Sequence, residues 1–196
     1  MKIAVIIGSN SHIDYVARVV EPDRDTGLPT PDDHGFGRFV SVVSGDERFV
    51  GVIYDSRLFN PEFSGFGPRL DPKPALDDFD ARGKGRSGIL IGIIVLGRLL
   101  SDGGADHAVP ARTIPVGRDV AVLDADSVRR FHTDDAGRAN ISYFSRIMSH
   151  SGQLAVPLME TIVAKISPGF DDDAKERLNV LLNSLKWQRT MTEARF

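Results

Sequence analysis

Aromatic rings beside cationic side chains are the residue types whose spacing in this chain could do chemistry on a partner. Arg57, Phe59, Phe63, Phe66 and Arg69 lie close together, and Arg82, Lys84 and Arg86 follow at alternate positions. Rings that stack on bases beside cations that neutralise phosphates are the parts of a sequence-tolerant nucleic-acid surface. The group is therefore a candidate interaction surface. Aromatics in a long loop also serve to pin that loop to a core, and this second use fits the same residues. Gly83-Lys84-Gly85-Arg86-Ser87 has the ingredients of a phosphate-binding loop but not the Gly-x-x-x-x-Gly-Lys-Ser/Thr order that cradles a phosphate. Gly35-Phe36-Gly37 lacks the third glycine of a dinucleotide fingerprint and precedes a strand-like segment.

Other chemistries have less to stand on. The opening Lys2-Ile3-Ala4-Val5-Ile6-Ile7-Gly8-Ser9 invites a flavodoxin-like reading, and with it an FMN- or NAD(P)H-dependent oxidoreductase as an alternative function. That chemistry needs a helix N-terminus directly after the loop, facing the phosphate. Ile13, Tyr15, Val16, Val19 and Val20 before Pro22 form a strand pattern instead. The five histidines, His12, His34, His107, His132 and His150, show no i,i+4 pair, and there is no cysteine to join them. Asp32-Asp33-His34 and His132-Thr133-Asp134-Asp135 are looser than zinc ligand spacing and read as exposed loop polarity. No Gly-x-Ser-x-Gly elbow offers a nucleophile. No catalytic residue, metal site or cofactor is expected, and the chain reads as a non-enzyme.

Composition bounds the rest. The 196 residues suffice for one domain and an appendage, and the 41% hydrophobic and 26% charged content is that of a folding chain. The net charge of −3 argues against a globally basic nucleic-acid binder. Residues 1–137 carry 16 basic against 21 acidic side chains and 138–196 carry 8 against 6, too mild a contrast to name a partner. The absence of cysteine excludes a disulfide scaffold. Apolar runs are short of the roughly 20 residues of a membrane helix, so a soluble, cytoplasmic protein without a membrane partner is expected.

The elements that must position these residues are mostly strands. Ile3–Ile7 and Ile13–Val20 read as strands, and Glu21–Gly37, acidic and rich in Pro and Gly, as a loop. Arg38–Val43 and Phe49–Tyr54 flank Ser44-Gly45-Asp46-Glu47 as a hairpin. Residues 56–88 read as a second irregular stretch. Ile89–Leu100, broken by Gly92 and Gly97, reads as a buried strand that bends. Ala108–Ile114 and Arg118–Leu123 are further strand candidates, and Asp124 is placed to cap a short helix through Phe131. The period then changes. Ile141, Phe144, Ile147 and Met148 share a helical face, as do Leu158, Ile162 and Ile166, and then Leu178, Leu181, Leu182 and Leu185. Asp171-Asp172-Asp173 suits the start of the last helix. The expected architecture is mainly β with α: a small closed barrel of about six strands over 1–135, then a helical extension over 136–196.

Ser9-Asn10-Ser11-His12-Ile13-Asp14-Tyr15-Val16, Phe36-Gly37-Arg38-Phe39-Val40, Gly51-Val52-Ile53-Tyr54-Asp55, Asn60-Pro61-Glu62-Phe63 and Gly67-Pro68-Arg69-Leu70 together resemble the HAS-barrel proteins. This barrel is named for its place at the N-terminus of HerA-type DNA-translocating ATPases and of the ATP synthase α and β subunits. Ile114-Pro115-Val116-Gly117-Arg118-Asp119-Val120 resembles the stretch that in HerA-like proteins leads toward the ATPase. The likeness covers roughly residues 1–135, and no Walker motif follows, so ATP hydrolysis does not carry over. What it implies is an assembly surface: an accessory barrel that self-associates or docks on a separately encoded ATPase or nuclease. Nucleic-acid contact through the 56–88 segment is the alternative.

Overall fold

The computed structural model describes residues 1–20, 29–59 and 88–193. Strands β1 (Lys2–Ser9), β2 (Asp14–Val19), β3 (Phe39–Ser44), β4 (Glu47–Phe59), β5 (Gly88–Leu99), β6 (Ala105–Asp106) and β7 (Asp119–Val122) form one antiparallel sheet. Its order is β2-β1-β7-β3-β4-β5-β6, and a further β2–β5 pairing closes the first six into a barrel, with β6 as an outlying strand on β5. Closure leaves the six barrel strands paired on both sides, which removes the free edges of an open sheet. Helices α1 (Ala125–Phe131), α2 (Phe144–His150), α3 (Ala155–Ile166) and α4 (Asp172–Glu193) follow. Among the described residues no helix is long and apolar enough to cross a membrane.

The barrel interior is filled. Ile3, Ile6, Tyr15, Ala17, Val40, Val42, Phe49, Ile53, Ile91, Ile93, Val95 and Val120 form one buried cluster. Alternation along each strand sends these residues inward, and a six-stranded barrel is too narrow to leave a lumen once they are in place. The Tyr15 hydroxyl lies within the barrel. It donates to the His12 carbonyl at 3.0 Å and accepts from the Ile114 N–H at 3.0 Å.

A second cluster sits on the outside. Phe39, Val50, Val52, Ile94, Leu96 and Leu99 point away from the interior and pack with Leu158, Met159, Ile162 and Val163 of α3 and with Leu178, Leu182 and Leu185 of α4. The helical segment thus sheathes the wall made by β3, β4 and β5. Strands buried on both faces read as continuous apolar runs, which is why Ile89–Leu99 shows no alternation. The bend expected there is present: the register of β4 and β5 shifts between Val50 and Gly51. Gly97 has φ 155, and a Cβ on it would lie 2.1 Å from the Asp106 carbonyl oxygen. The hairpin turns through Gly45 at φ 65, with Ser44 and Glu47 paired.

Helix starts follow their caps. The Asp124 carboxylate accepts from the Ser127 N–H at 2.7 Å and Asp171 accepts from the Ala174 N–H at 2.9 Å. Each satisfies an N–H that the first turn leaves unpaired. Leu158, Ile162, Ile166, Leu178, Leu182 and Leu185 are buried as their spacing requires.

Two local expectations are corrected. Ala108–Ile114 is not a strand. Pro110 has no N–H to give a ladder, and the segment is fastened by side chains: the His12 ring bonds the Pro110 carbonyl at 2.6 Å, and Ile114 is buried with the barrel interior. The first residues of the stretch read as irregular from 56 are strand, because β4 continues through Phe59, and residues 60–87 lie outside the described residues. Arg57, Leu58 and Phe59 pair with Leu90, Ile89 and Gly88, a ladder that extends both strands.

Candidate functional site

The walls of the barrel differ in what covers them. Among the described residues, the buried side chains of α3 and α4 pack with β3, β4 and β5 and none of them clusters with β2 or β1, so the face made by β2, β1 and β7 is here called the bare wall. Its centre is β1, where Val5 pairs with Arg18 of β2 on one side and with Asp119 of β7 on the other. Directly paired residues share a face, so Arg18, Val5 and Asp119 form one outward row. Ile7, 39% exposed, lies one step along β1 beside the register shift between Ile6 and Gly8, and Val16 pairs with Gly8. Such bulges re-aim the side chain at the shift. Val116, 59% exposed, stands in the turn whose Gly117 N–H donates to the Ile6 carbonyl at 2.8 Å. Lys2 meets Asp119 at 2.7 Å. The wall thus has an apolar middle of Val5, Ile7, Val16 and Val116 with a charged border, the anatomy of a protein interface.

A tyrosine marks the border between bare and sheathed walls. Tyr54 of β4 lies over Gly92 of β5, where a Cβ would come within 2.8 Å of its Cε1. Its hydroxyl donates to the Asp14 carboxylate at 3.0 Å, and Asn10 donates to the same group at 3.1 Å. Burial and then the Asp14 hydrogen bond raise the phenol to about 12, so it remains a donor. A glycine inside a β-rich run signals close approach of another group, and Gly92 carries that signal in the sequence.

Of the eight residues singled out for chemistry, two fall within the described residues. Arg57 is a strand residue, not a loop residue, and its Nε donates to Asp55 at 3.1 Å while the side chain is 80% exposed. Phe59 ends β4. Phe63, Phe66, Arg69, Arg82, Lys84 and Arg86 lie outside the described residues. Of that surface the described residues therefore include Arg57 and Phe59, two positions apart on β4.

The histidines fall in separate places, and one corrects the reading of exposed loop polarity. His132 is fully buried at the end of α1. Its Nδ1 lies 2.7 Å from the Val128 carbonyl and its Nε2 2.7 Å from the Tyr143 hydroxyl. A carbonyl can only accept, so Nδ1 carries the hydrogen and Nε2 accepts from tyrosine. Burial lowers the imidazole to about 4 and raises the Tyr143 phenol. His107, lowered mainly by burial, faces the Phe131 carbonyl at 2.8 Å and the Tyr143 ring at 5.1 Å. Phe39 meets His132 edge-on at 5.0 Å. This aromatic group fastens α1 to the sheath: both ring nitrogens of His132 are bonded locally, whereas His107 Nδ1 is buried without a hydrogen-bond partner among the described residues. Among the described residues no group of three or more His, Cys, Asp or Glu is placed to hold a metal ion.

The outlying β6 is fixed by charge. Arg98 of β5 donates to Glu47 at 2.5 Å and to Asp106 at 2.6 Å. These bonds, Asp106 first, raise the guanidinium, and the Arg98 bond lowers Asp106 in return. On the far side of the sheath, Lys165 of α3 donates to the Gly37 carbonyl at 2.8 Å, tying the segment before β3 to the helices.

No curated protein matches this chain. A family model described as a domain of unknown function, DUF8166, matches residues 1–195. With that match running along nearly all of its length, the chain belongs to the DUF8166 family.

Proposed function

We propose that this protein is an assembly module whose bare β2-β1-β7 wall packs against a second copy of the chain. The observation that carries the reading is the outward row Arg18–Val5–Asp119. A two-fold axis lying in the contact plane over Val5 and parallel to β1 brings Arg18 of each copy opposite Asp119 of the other, with the two Ile7 side chains near the axis. A surface that is its own complement in this way is what an isologous interface requires. The filled interior supports the same reading, since a barrel without a lumen acts through its outside. So does the likeness to HAS barrels, which in the large ATPases pack side by side around a ring. Docking on a separately encoded ATPase or nuclease is the extension of this reading, with the assembled barrels as the adaptor.

Light scattering on the full chain tests it. The expected result is a dimer or larger species that Arg18→Asp dissociates and that the double exchange Arg18→Asp with Asp119→Arg restores. Ile7→Asp is expected to give a monomer with an unchanged melting temperature. A monomer at every concentration reached, or an oligomer indifferent to all three variants, overturns the proposal. Affinity capture from the source cells that recovers an ATPase carrying a P-loop would support the extension.

A further inference from the structure

A cleft of about 530 Å³ opens between the outer side of α1, the turn over residues 134–139 and the first turns of α4. It lies among the helices and uses none of the bare-wall residues. Its size is within the range of small-molecule sites, roughly 300–1,000 Å³. The hollow exists because the chain places very small residues on its sides: Ala136, Gly137, Ala139, Gly169 and Ala174. Its floor is apolar, made by Ile141 and Leu178, both buried, with Phe170 and Leu181 beside them.

Charge at the rim is arranged unequally. Three guanidinium groups, on Arg129, Arg138 and Arg177, line the cleft with two carboxylates, Asp171 and Asp173. Both carboxylates are engaged: Asp171 caps α4 through the Ala174 N–H at 2.9 Å, and Asp173 accepts from Arg177 at 2.5 Å. Arg138 is held by Asp134 at 3.0 Å. Among the described residues Arg129 has no carboxylate partner. Its stem lies along Gly169, where a Cβ would be 3.6 Å from its Cγ. Contact at that distance is ordinary van der Waals packing, so the Arg129 stem runs along the chain at Gly169 on its way to the cleft.

From one unmatched cation above a hollow with an apolar floor, we infer that the cleft binds a small organic anion. Its carboxylate or phosphate group lies on Arg129 and its hydrocarbon or aromatic body covers Ile141 and Leu178. Guanidinium groups recognise both anions through paired N–H donors, and the body supplies the burial that an inorganic ion cannot.

Calorimetric titration of the full chain with 4-phenylbutyrate, phenyl phosphate, inorganic phosphate and 4-phenylbutanol tests the inference. One or both of the amphiphilic anions should bind, and whichever is tighter identifies the head group. Inorganic phosphate and the uncharged alcohol should bind at least about tenfold more weakly, as should the better anion to Arg129→Ala, since a charge-assisted pair is worth that factor or more. Ala174→Leu, which fills the hollow from an exposed helix, should abolish binding, and Ala139→Leu does the same from the opposite side should the first variant fail to fold. Heat from neither anion overturns the inference. So does inorganic phosphate matching phenyl phosphate, or binding that survives both Arg129→Ala and Ala174→Leu.

Discussion

The sheathed and bare walls of this barrel are built from the same kind of strand, yet their outward residues have different characters. On the β3-β4-β5 wall the outward residues Phe39, Val50, Val52, Ile94 and Leu96 are 3% exposed or less. On the β2-β1-β7 wall the outward row is Arg18, Val5 and Asp119, with Ile7 and Val16 beside it. The inward face is equally apolar on both. Outward chemistry therefore records what covers each wall: α3 and α4 demand a continuous apolar surface, whereas the bare wall keeps charge at its border and a modest apolar centre. The contrast teaches that the helical segment is part of the barrel's hydrophobic design, and that the apolar centre of the bare wall is the piece of the barrel surface this design leaves over.

The contrast breaks most sharply at α3. Leu158, fully buried between α3 and the sheathed wall, is expected to cost about 2–5 kcal/mol when changed to alanine, read by urea denaturation. Acid acts on the same wall. His132 is neutral in the fold and lowered to about 4, while in the unfolded chain it titrates at its ordinary value near 6.5. Its contribution is therefore full above about pH 6.5, declines by up to about 1.4 kcal/mol per unit as the unfolded state takes up a proton, and is lost as pH falls through 4. The total is about 3 kcal/mol, and His132→Phe should remove that slope from stability measured between pH 7 and 4.

At the border of the walls, Gly92→Ala forces the Tyr54 ring off its seat and is expected to cost about 1–3 kcal/mol. Loss of the Asp124 cap by Asp124→Ala should cost about 1 kcal/mol. Smallest of all, Ile7→Ala on the bare wall is expected to change monomer stability by no more than about 0.5 kcal/mol. A cost at Ile7 rivalling that at Leu158 would erase the distinction.

Much of this was legible in the residues. The β-branched segment after Gly8 argued against a phosphate-loop helix, the run Ile89–Leu100 read as a buried strand that bends, and the helical period of the last third matched its buried leucines and isoleucines. What the sequence could not carry were pairings between distant residues. The β2–β5 closure joins Asp14 to Ile94, and nothing local distinguishes a strand that closes a barrel from one in an open sheet. Val5 and Ile7 sit in a run that looks wholly buried, so the bare wall has no local signature. His132 beside Thr133 and Asp134 looked like surface polarity because its partner, Tyr143, lies beyond an intervening turn. Arg129, Arg138 and Arg177 converge only after α4 folds back on α1.

The position of β7 also sets the order of assembly. It is the last strand in sequence, yet it lies between β1 and β3. During synthesis β1 and β2 can pair as a hairpin early, but one side of β1 and one side of β3 stay unsatisfied until Asp119–Val122 have emerged. Pairings this remote in sequence close slowly because the chain entropy must be overcome before the contacts reward it. Newly made chains therefore pass through a stage with two open strand edges, and the barrel's resistance to mispairing begins only with its final strand.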